Sequence, residues 1–77
     1  MQTIADVEKN IKYVVKKLHT TGVLRQRLIA FGIVKGAKIE LLNHTNLKGT
    51  YEVKVGKMTI ALRKEEAKNI EVEKIDV

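Results

Sequence analysis

The sequence lacks cysteine, serine, proline and tryptophan altogether, and its aromatic residues are limited to Tyr13, Phe31 and Tyr51. Without cysteine the chain forms neither a disulfide nor a thiolate metal site. The commonest side-chain nucleophiles are missing, and no Gly-x-x-x-x-Gly-Lys-Ser/Thr loop is present to hold phosphates. These absences argue against an enzyme, so we expect no catalytic residues and no cofactor.

Long apolar runs are missing as well. The longest nearly apolar stretch, residues 28–34, is far shorter than the roughly 20 residues that cross a bilayer as a helix. The N-terminus shows no charged-then-apolar signal pattern. With 77 residues the chain has room for one small domain, which we expect to span 1–77, to stay in the cytoplasm and not to insert into a membrane.

The charge is positive and unevenly distributed. Fifteen Lys or Arg against nine Asp or Glu give a net charge of +6. Residues 1–38 hold eight basic and two acidic groups, a net of +6, whereas residues 39–77 hold seven of each and are neutral. This asymmetry suggests a polyanion or an acidic protein surface as partner, and a solvated basic face that aids solubility is the alternative.

Alternation of apolar and polar residues predicts strands in the second half of the chain. Residues 51–63 alternate on both sides of Gly56-Lys57, which predicts a β-hairpin. Residues 37–41 predict a preceding strand, with Gly36 at a positive-φ position in the turn that starts it. Residues 70–73 alternate in the same way and predict a last short strand.

Two segments have helical character. Between Thr20 and Gly32, Thr20 or Thr21 can cap the first turn and Gly32 is placed to end the helix. Residues 64–69 predict a single helical turn. The apolar stripe of the longer helix, at i, i+4 and i+7, consists of Leu24, Leu28 and Phe31.

The first eighteen residues are ambiguous from their pattern alone. Apolar residues at positions 4, 7, 11, 14, 15 and 18 fit a helical stripe. Residues 11–18 fit a strand nearly as well, and Tyr13 and Val14-Val15 favour a strand by propensity. A further strand would also cover an edge of the sheet that the other segments form.

The order of these elements and three short motifs resemble the FeoA family of ferrous iron transport accessory proteins. Leu-Arg-Gln-Arg-Leu at 24–28 precedes Gly-Ile-Val-Lys-Gly at 32–36, and Ala-Leu-Arg at 61–63 precedes an acidic turn with Ala67. Ile-Ala-Asp-Val at 4–7 is similar to the family's opening motif, which implies that residues 11–18 form a strand.

The resemblance implies a mainly β fold, a small SH3-like five-stranded barrel. One short α-helix would lie between strands 1 and 2, and a helical turn would precede the last strand. Lys35 and Asn10 stand where family members usually have Pro and Gly, respectively; Asn tolerates positive φ, so the turn can survive.

The implied function is that of a non-enzymatic accessory protein that docks on the cytosolic G-protein part of the membrane ferrous iron transporter and modulates uptake. Open strand edges would also allow a homo-oligomer. One alternative is a transition-metal-binding regulatory domain like the C-terminal domain of iron-dependent repressors. Another is a small basic nucleic-acid-binding barrel, although a chain with three aromatic residues offers little surface on which bases can stack.

Side chains on and near the helix are the predicted partner-binding site. An Arg can fork onto a partner carboxylate while a Leu supplies an apolar anchor. The alternative is that one of the arginines pairs within the domain with Glu40 or Glu66 and fixes the helix on the barrel. The four predicted residues are Leu24, Arg25, Arg27 and Leu47.

The two histidines, His19 and His44, are the candidate metal ligands. A metal site needs at least three converging donors, which Glu40 or Asp6 would have to complete. The simpler interpretation is two surface histidines at strand ends, and we expect no metal site.

Overall fold

The computed structural model describes residues 1–45 and 49–75. They form five strands and two short helices. In chain order the elements are β1 (Lys12–Leu18), α1 (Gly22–Ala30), β2 (Lys38–Thr45), β3 (Thr50–Val55), β4 (Met58–Arg63), α2 (Lys64–Ala67) and β5 (Ile70–Lys74). This order confirms the predicted mainly β fold with a helix between the first two strands and a helical turn before the last.

The five strands form one antiparallel sheet in the order β4-β3-β2-β1-β5, so β4 and β5 lie at its two ends and the sheet is not closed. The N-terminal segment runs along β5: the Val72 N–H donates to the Gln2 carbonyl at 2.8 Å, and the Ile4 N–H donates to the Ile70 carbonyl at 3.2 Å. This segment covers backbone groups of β5 that would otherwise be open to pairing with another chain.

The core collects the inward-facing side chains of all five strands. Four residues outside the strands complete it, and each is fully buried: Ile4, Leu28, Ile33 and Ala67. The strands contribute Tyr13, Val15, Leu18, Ile39, Leu41, Tyr51, Val53, Val55, Ile60, Leu62, Ile70 and Val72. Met58 continues the predicted alternation but is 50% exposed, because it directly follows the hairpin turn at the end of the sheet.

The ambiguous N-terminal segment contains strand β1, with a bulge that the sequence pattern did not reveal. Val15 pairs with Val72 and Lys17 pairs with Glu71, so Lys16 has no partner in β5. An extra residue of this kind resets the alternation of side chains along the strand. Val15 and Leu18 therefore both point into the core, while Lys16 and Lys17 are both exposed.

Helix α1 ends as predicted but begins without the predicted cap. The Gly32 N–H donates to the Ile29 carbonyl at 2.9 Å and the Ile33 N–H to the Leu28 carbonyl at 3.0 Å, which is the Schellman arrangement, with Gly32 at φ +84°. At the other end Thr21 occupies the N-cap position, but its side chain makes no capping hydrogen bond. The predicted threonine cap is wrong because the first helical residue is Gly22 at φ +65°, a non-helical start.

The hairpin and the turn before β2 are confirmed. Strands β3 and β4 pair from Thr50 with Arg63 to Val55 with Met58, joined by Gly56-Lys57. Gly36 has φ +90°, and its N–H donates to the Val15 carbonyl at 2.8 Å, which ties the turn to β1. Asn10 has φ +63°, the conformation expected for the position where the family usually has glycine.

Replacing Gly36 with valine is expected to destabilise the domain by about 1–2 kcal/mol, because a β-branched residue is strained at positive φ. A Cβ at this position meets no atom within 4 Å, so the cost comes from the backbone and not from a clash. Gly36→Asn should cost less, since asparagine tolerates this region. Urea unfolding measures both changes, and equal stability of Gly36→Val and wild type would contradict the strain argument.

Candidate docking surface

Helix α1 presents the predicted partner-binding residues to two different depressions of the surface. Leu24 and Arg27 line a depression of about 200 Å³ beside α2. Arg25 lines a separate groove on the other side of the helix. The fourth predicted residue, Leu47, lies outside the described residues. The structure thus brings Leu24 and Arg27 together and separates Arg25 from both.

Arg27 makes contacts within the domain. Its Nε donates to Glu66 Oε2 at 2.8 Å, and Glu66 Oε1 accepts the backbone N–H of Arg63 at 2.9 Å. The Glu66 side chain is 4% exposed, so this carboxylate depends on these donors. The Arg27 guanidinium also lies 5.3 Å from the ring centroid of Phe31. These contacts match the structural alternative, in which an arginine paired with Glu66 holds the helix on the sheet.

Arg25 lies in the larger depression, which we call the basic groove. It has a volume of about 440 Å³ and is formed by the end of β1, one side of α1 and the turn that follows. Both basic and aliphatic side chains line it. The lining residues are Lys16, Lys17, Arg25 and Lys35 together with Leu18, Ile29 and Val34.

Three local features build the basic groove. The β1 bulge turns Lys16 and Lys17 outward together. Arg25 and Ile29 are four residues apart and therefore share one face of α1. The Schellman turn at Gly32 then ends the helix, and Val34 and Lys35, which follow this turn, line the groove. The end of α1 and the bulge in β1 thus bring together basic residues that are far apart in the sequence.

Three of the four basic side chains in the basic groove are outside any ion pair among the described residues. Lys16 Nζ lies 3.1 Å from Glu73 Oε2, in an exposed ion pair that contributes little stability. Across residues 1–45 and 49–75, Lys17, Arg25 and Lys35 take part in no ion pair. Four of the eight basic residues in the first half of the chain line this groove. Half of the basic residues in the first half of the chain therefore lie on one surface feature.

The two histidines lie in separate parts of the sheet and have different contacts. His19 Nε2 lies 2.6 Å from Glu71 Oε1, beside the end of β1. His44 stacks on Tyr51 of the neighbouring strand, with ring centroids 4.0 Å apart and planes inclined by 11°. Within the part of the chain that the structure describes, no three His, Cys, Asp or Glu side chains cluster to hold a metal ion.

Stability is expected to fall at acid pH partly through Glu71. The hydrogen bond with His19 lowers the pKa of Glu71, desolvation opposes this, and the positive charges of His19, the N-terminus and Lys17 lower the pKa further. The ionised carboxylate thus stabilises the fold at pH above its ordinary value of 4.5, and this contribution is lost as the pH falls through the lowered pKa. Glu71→Gln should weaken the acid dependence of the unfolding midpoint.

The matched control for this pH dependence is Glu52→Gln, since Glu52 is exposed on β3. Thermal unfolding from neutral pH downward compares the two variants with wild type. Identical acid limbs for Glu71→Gln and wild type would contradict the assigned role of the His19 contact.

The aromatic residues offer no platform for nucleic-acid bases in the basic groove. Tyr13 is 2% and Tyr51 5% exposed, both in the core. Phe31 is half-buried and lies against the Arg27 guanidinium. Single-stranded nucleic acids are bound largely by stacking on exposed aromatic rings. The basic groove therefore lacks the exposed aromatic rings that would favour a nucleic acid over other acidic ligands.

The sequence interpretation missed most of the basic groove. It identified Arg25 but not the paired lysines of β1, nor Ile29, Val34 and Lys35. The buried positions of β1 change from a spacing of two to a spacing of three between Val15 and Leu18, but the apolar Val14 hides this change in the sequence, so no signal predicted the bulge. For membrane association, no helix among residues 1–45 and 49–75 is long and apolar enough to span a bilayer.

Five short antiparallel strands and two short helices define a small mainly β domain, which has a basic groove on its surface. The model of the FeoA domain matches residues 2–74, so the chain belongs to the FeoA domain family. This confirms the resemblance seen in the motifs at 24–36 and 61–67.

Individual relatives agree with this assignment. The chain is 30% identical over 61 residues to the candidate Fe(2+) transport protein A of Helicobacter pylori, covering 79% of this chain and 80% of that one. The solution structure of iron(II) transport protein A from Clostridium thermocellum is 31% identical with a TM-score of 0.90. That match covers 96% of this chain but 46% of the other, so the chain spans less than half of that relative.

A third relative supports the predicted SH3-like architecture. FeoA of Stenotrophomonas maltophilia, crystallised with zinc, is described as a procaryotic SH3 domain protein and a candidate activating factor of ferrous iron transport. It is 27% identical with a TM-score of 0.80, and the match covers 95% of this chain and 91% of that one. The fold is therefore SH3-like and barrel-like, although its sheet is not closed.

Proposed function

We propose that this protein is a non-enzymatic accessory protein of bacterial ferrous iron transport. In this proposal it acts in the cytoplasm, docks on the cytosolic G-protein domain of the membrane ferrous iron transporter and modulates uptake. The observation that carries the proposal is the FeoA family match over residues 2–74. The names of the Helicobacter pylori and Clostridium thermocellum relatives point to the same process.

The surface of the domain is compatible with a docking role. Arg25 and its basic neighbours in the groove are available to acidic groups of a partner, since complementary charge guides and orients protein association. Arg27 and Leu24 lie beside Glu65 and Glu66, so this second depression already contains acidic groups of its own. Of the three predicted site residues that the structure describes, Arg25 is therefore the best placed for a partner contact.

Calorimetric titration with the purified cytosolic domain of the transporter tests the proposal. We expect saturable one-site binding, and no binding to an unrelated GTP-binding domain of similar net charge. In cells, deletion of the gene should alter ferrous iron uptake, and the wild-type gene should restore it. Absence of binding together with unchanged uptake would contradict the proposal.

Salt dependence separates this function from nucleic-acid binding. Phosphate contacts release counterions, so affinity for a nucleic acid falls steeply as salt rises. Docking that includes apolar contacts should respond less, because burial of apolar surface does not release counterions. An oligonucleotide that binds more tightly than the transporter domain at moderate salt would favour the nucleic-acid alternative.

A further inference from the structure

We propose that the basic groove receives an acidic amphipathic segment of a protein partner, with carboxylates on the basic rim and an aliphatic side chain on the groove floor. The identity of the partner rests on the proposed function. The chemistry of the segment rests on the groove alone.

The basic side chains of the groove, which we call its rim, are complementary to a negatively charged ligand. Lys17, Arg25 and Lys35 have no acidic partner in an ion pair within the described ranges, and Lys16 is shared with the exposed Glu73. Arg25 offers a planar fork that matches a carboxylate in two parallel hydrogen bonds. The groove thus lacks the acidic counterparts that the depression beside α2 contains, and a ligand with several carboxylates would supply them.

The aliphatic side chains of the groove, which we call its floor, are complementary to an apolar group of the ligand. Leu18 lines the groove but belongs to the core and is only 7% exposed, whereas Ile29 is 41% and Val34 39% exposed. Ile29 and Val34 remain partly in water unless a ligand covers them, and their burial would add to the affinity. A free inorganic anion cannot cover them, but a segment that carries carboxylates and Leu or Ile side chains on one face can.

The dimensions of the groove fit a few side chains of a segment. A volume of about 440 Å³ falls within the range of roughly 300–1,000 Å³ typical of concave ligand sites. Several side chains of a helix or extended segment fill such a space. Amphipathic helices docked in apolar grooves are a recurrent form of peptide recognition, with anchors at i, i+3 or i+4, and i+7.

Two other classes of ligand fit the groove less well. A nucleic acid would find positive charge but an aliphatic floor, since Tyr13, Tyr51 and Phe31 do not line the groove. An anionic membrane would contact the most protruding apolar groups. The most exposed large apolar side chain of α1 is Val23, which is 82% exposed and does not line the groove.

The test uses the full chain and a synthetic helical peptide with Leu at i, i+4 and i+7 and Glu at the other positions. Amide chemical-shift changes should concentrate at Leu18, Arg25, Ile29 and Lys35. Arg25→Glu should weaken the binding at least tenfold, because a repulsive carboxylate replaces the forked cation. Lys57→Glu, the same charge change in the β3–β4 turn, should alter the affinity less than about twofold.

A second pair of variants tests the aliphatic floor. Ile29→Gln should weaken peptide binding about threefold to tenfold, as expected for loss of one partly buried aliphatic contact. Val23→Gln changes an aliphatic side chain on the same helix outside the groove and should leave the affinity unchanged. A peptide with Gln in place of Leu should also bind at least threefold more weakly to the wild type.

Each contrary outcome overturns the inference. These outcomes are no binding of the peptide, equal affinity of its Gln version, or tighter binding of an oligonucleotide or of phosphatidylglycerol vesicles to the same groove. Titration with the transporter's cytosolic domain then separates the two proposals. If that domain binds wild type and Arg25→Glu equally, the groove assignment fails and the proposed function stands. If the domain binds neither protein while the peptide binds the wild type, the proposed function fails and the groove assignment stands.

Discussion

Replacing Leu28 with alanine is expected to destabilise the domain by about 3 kcal/mol, within the roughly 2–5 kcal/mol typical of buried Leu→Ala changes. Leu28 is fully buried, and it is the one residue of α1 whose side chain lies in the core. Its carbonyl also accepts the Ile33 N–H that closes the helix end. The substitution removes the main apolar contact by which α1 packs on the sheet and leaves a cavity in the core.

A loss of this size is a large fraction of the total stability. Domains have about 0.05–0.15 kcal/mol per residue, which gives roughly 4–12 kcal/mol for a chain of this length. Val23→Ala is the matched control, because Val23 is on the same helix but 82% exposed, and it should change stability by less than about 0.5 kcal/mol. Urea denaturation measures both variants, and equal losses would show that α1 does not pack through Leu28.

Four of the five strands could be predicted from the sequence because at least part of each alternates regularly beside a turn. The β3–β4 hairpin alternates on both sides of a Gly-X connection, and its register follows from that turn. The first strand could not be separated from a helix by pattern, since its bulge interrupts the period of two at Lys16. Its assignment depended on the family motif at 4–7.

The candidate site was predicted as one surface, whereas the structure places its three described residues in two different depressions. Two residues that are two positions apart are related by a rotation of about 200° around the helix axis. Arg25 and Arg27 therefore lie on nearly opposite sides of α1 and face different neighbours. The neighbours themselves come from β1, α2 and the turn after α1. Tertiary packing places these elements together, and helical periodicity contains no information about which acidic or basic groups they bring.

The two arginines are therefore expected to differ in what their loss does. Arg27→Ala should destabilise the domain by about 2 kcal/mol, because it removes a charged hydrogen bond from the nearly buried Glu66 carboxylate and leaves it with the Arg63 N–H. Arg25→Ala should change stability by less than about 0.5 kcal/mol, because Arg25 is exposed and forms no ion pair with any residue that the structure describes.

Glu66→Gln in the Arg27→Ala background completes the measurement. If the pair couples, the double variant is less destabilised than the sum of the single ones. Additive losses, or equal stability of Arg27→Ala and Arg25→Ala, would contradict a structural role for the Arg27–Glu66 contact. The complementary assay is affinity for the transporter's cytosolic domain, which Arg25→Ala should reduce in a protein of unchanged stability. Together the two readouts assign one arginine of the Leu-Arg-Gln-Arg-Leu motif to holding the helix and the other to the partner.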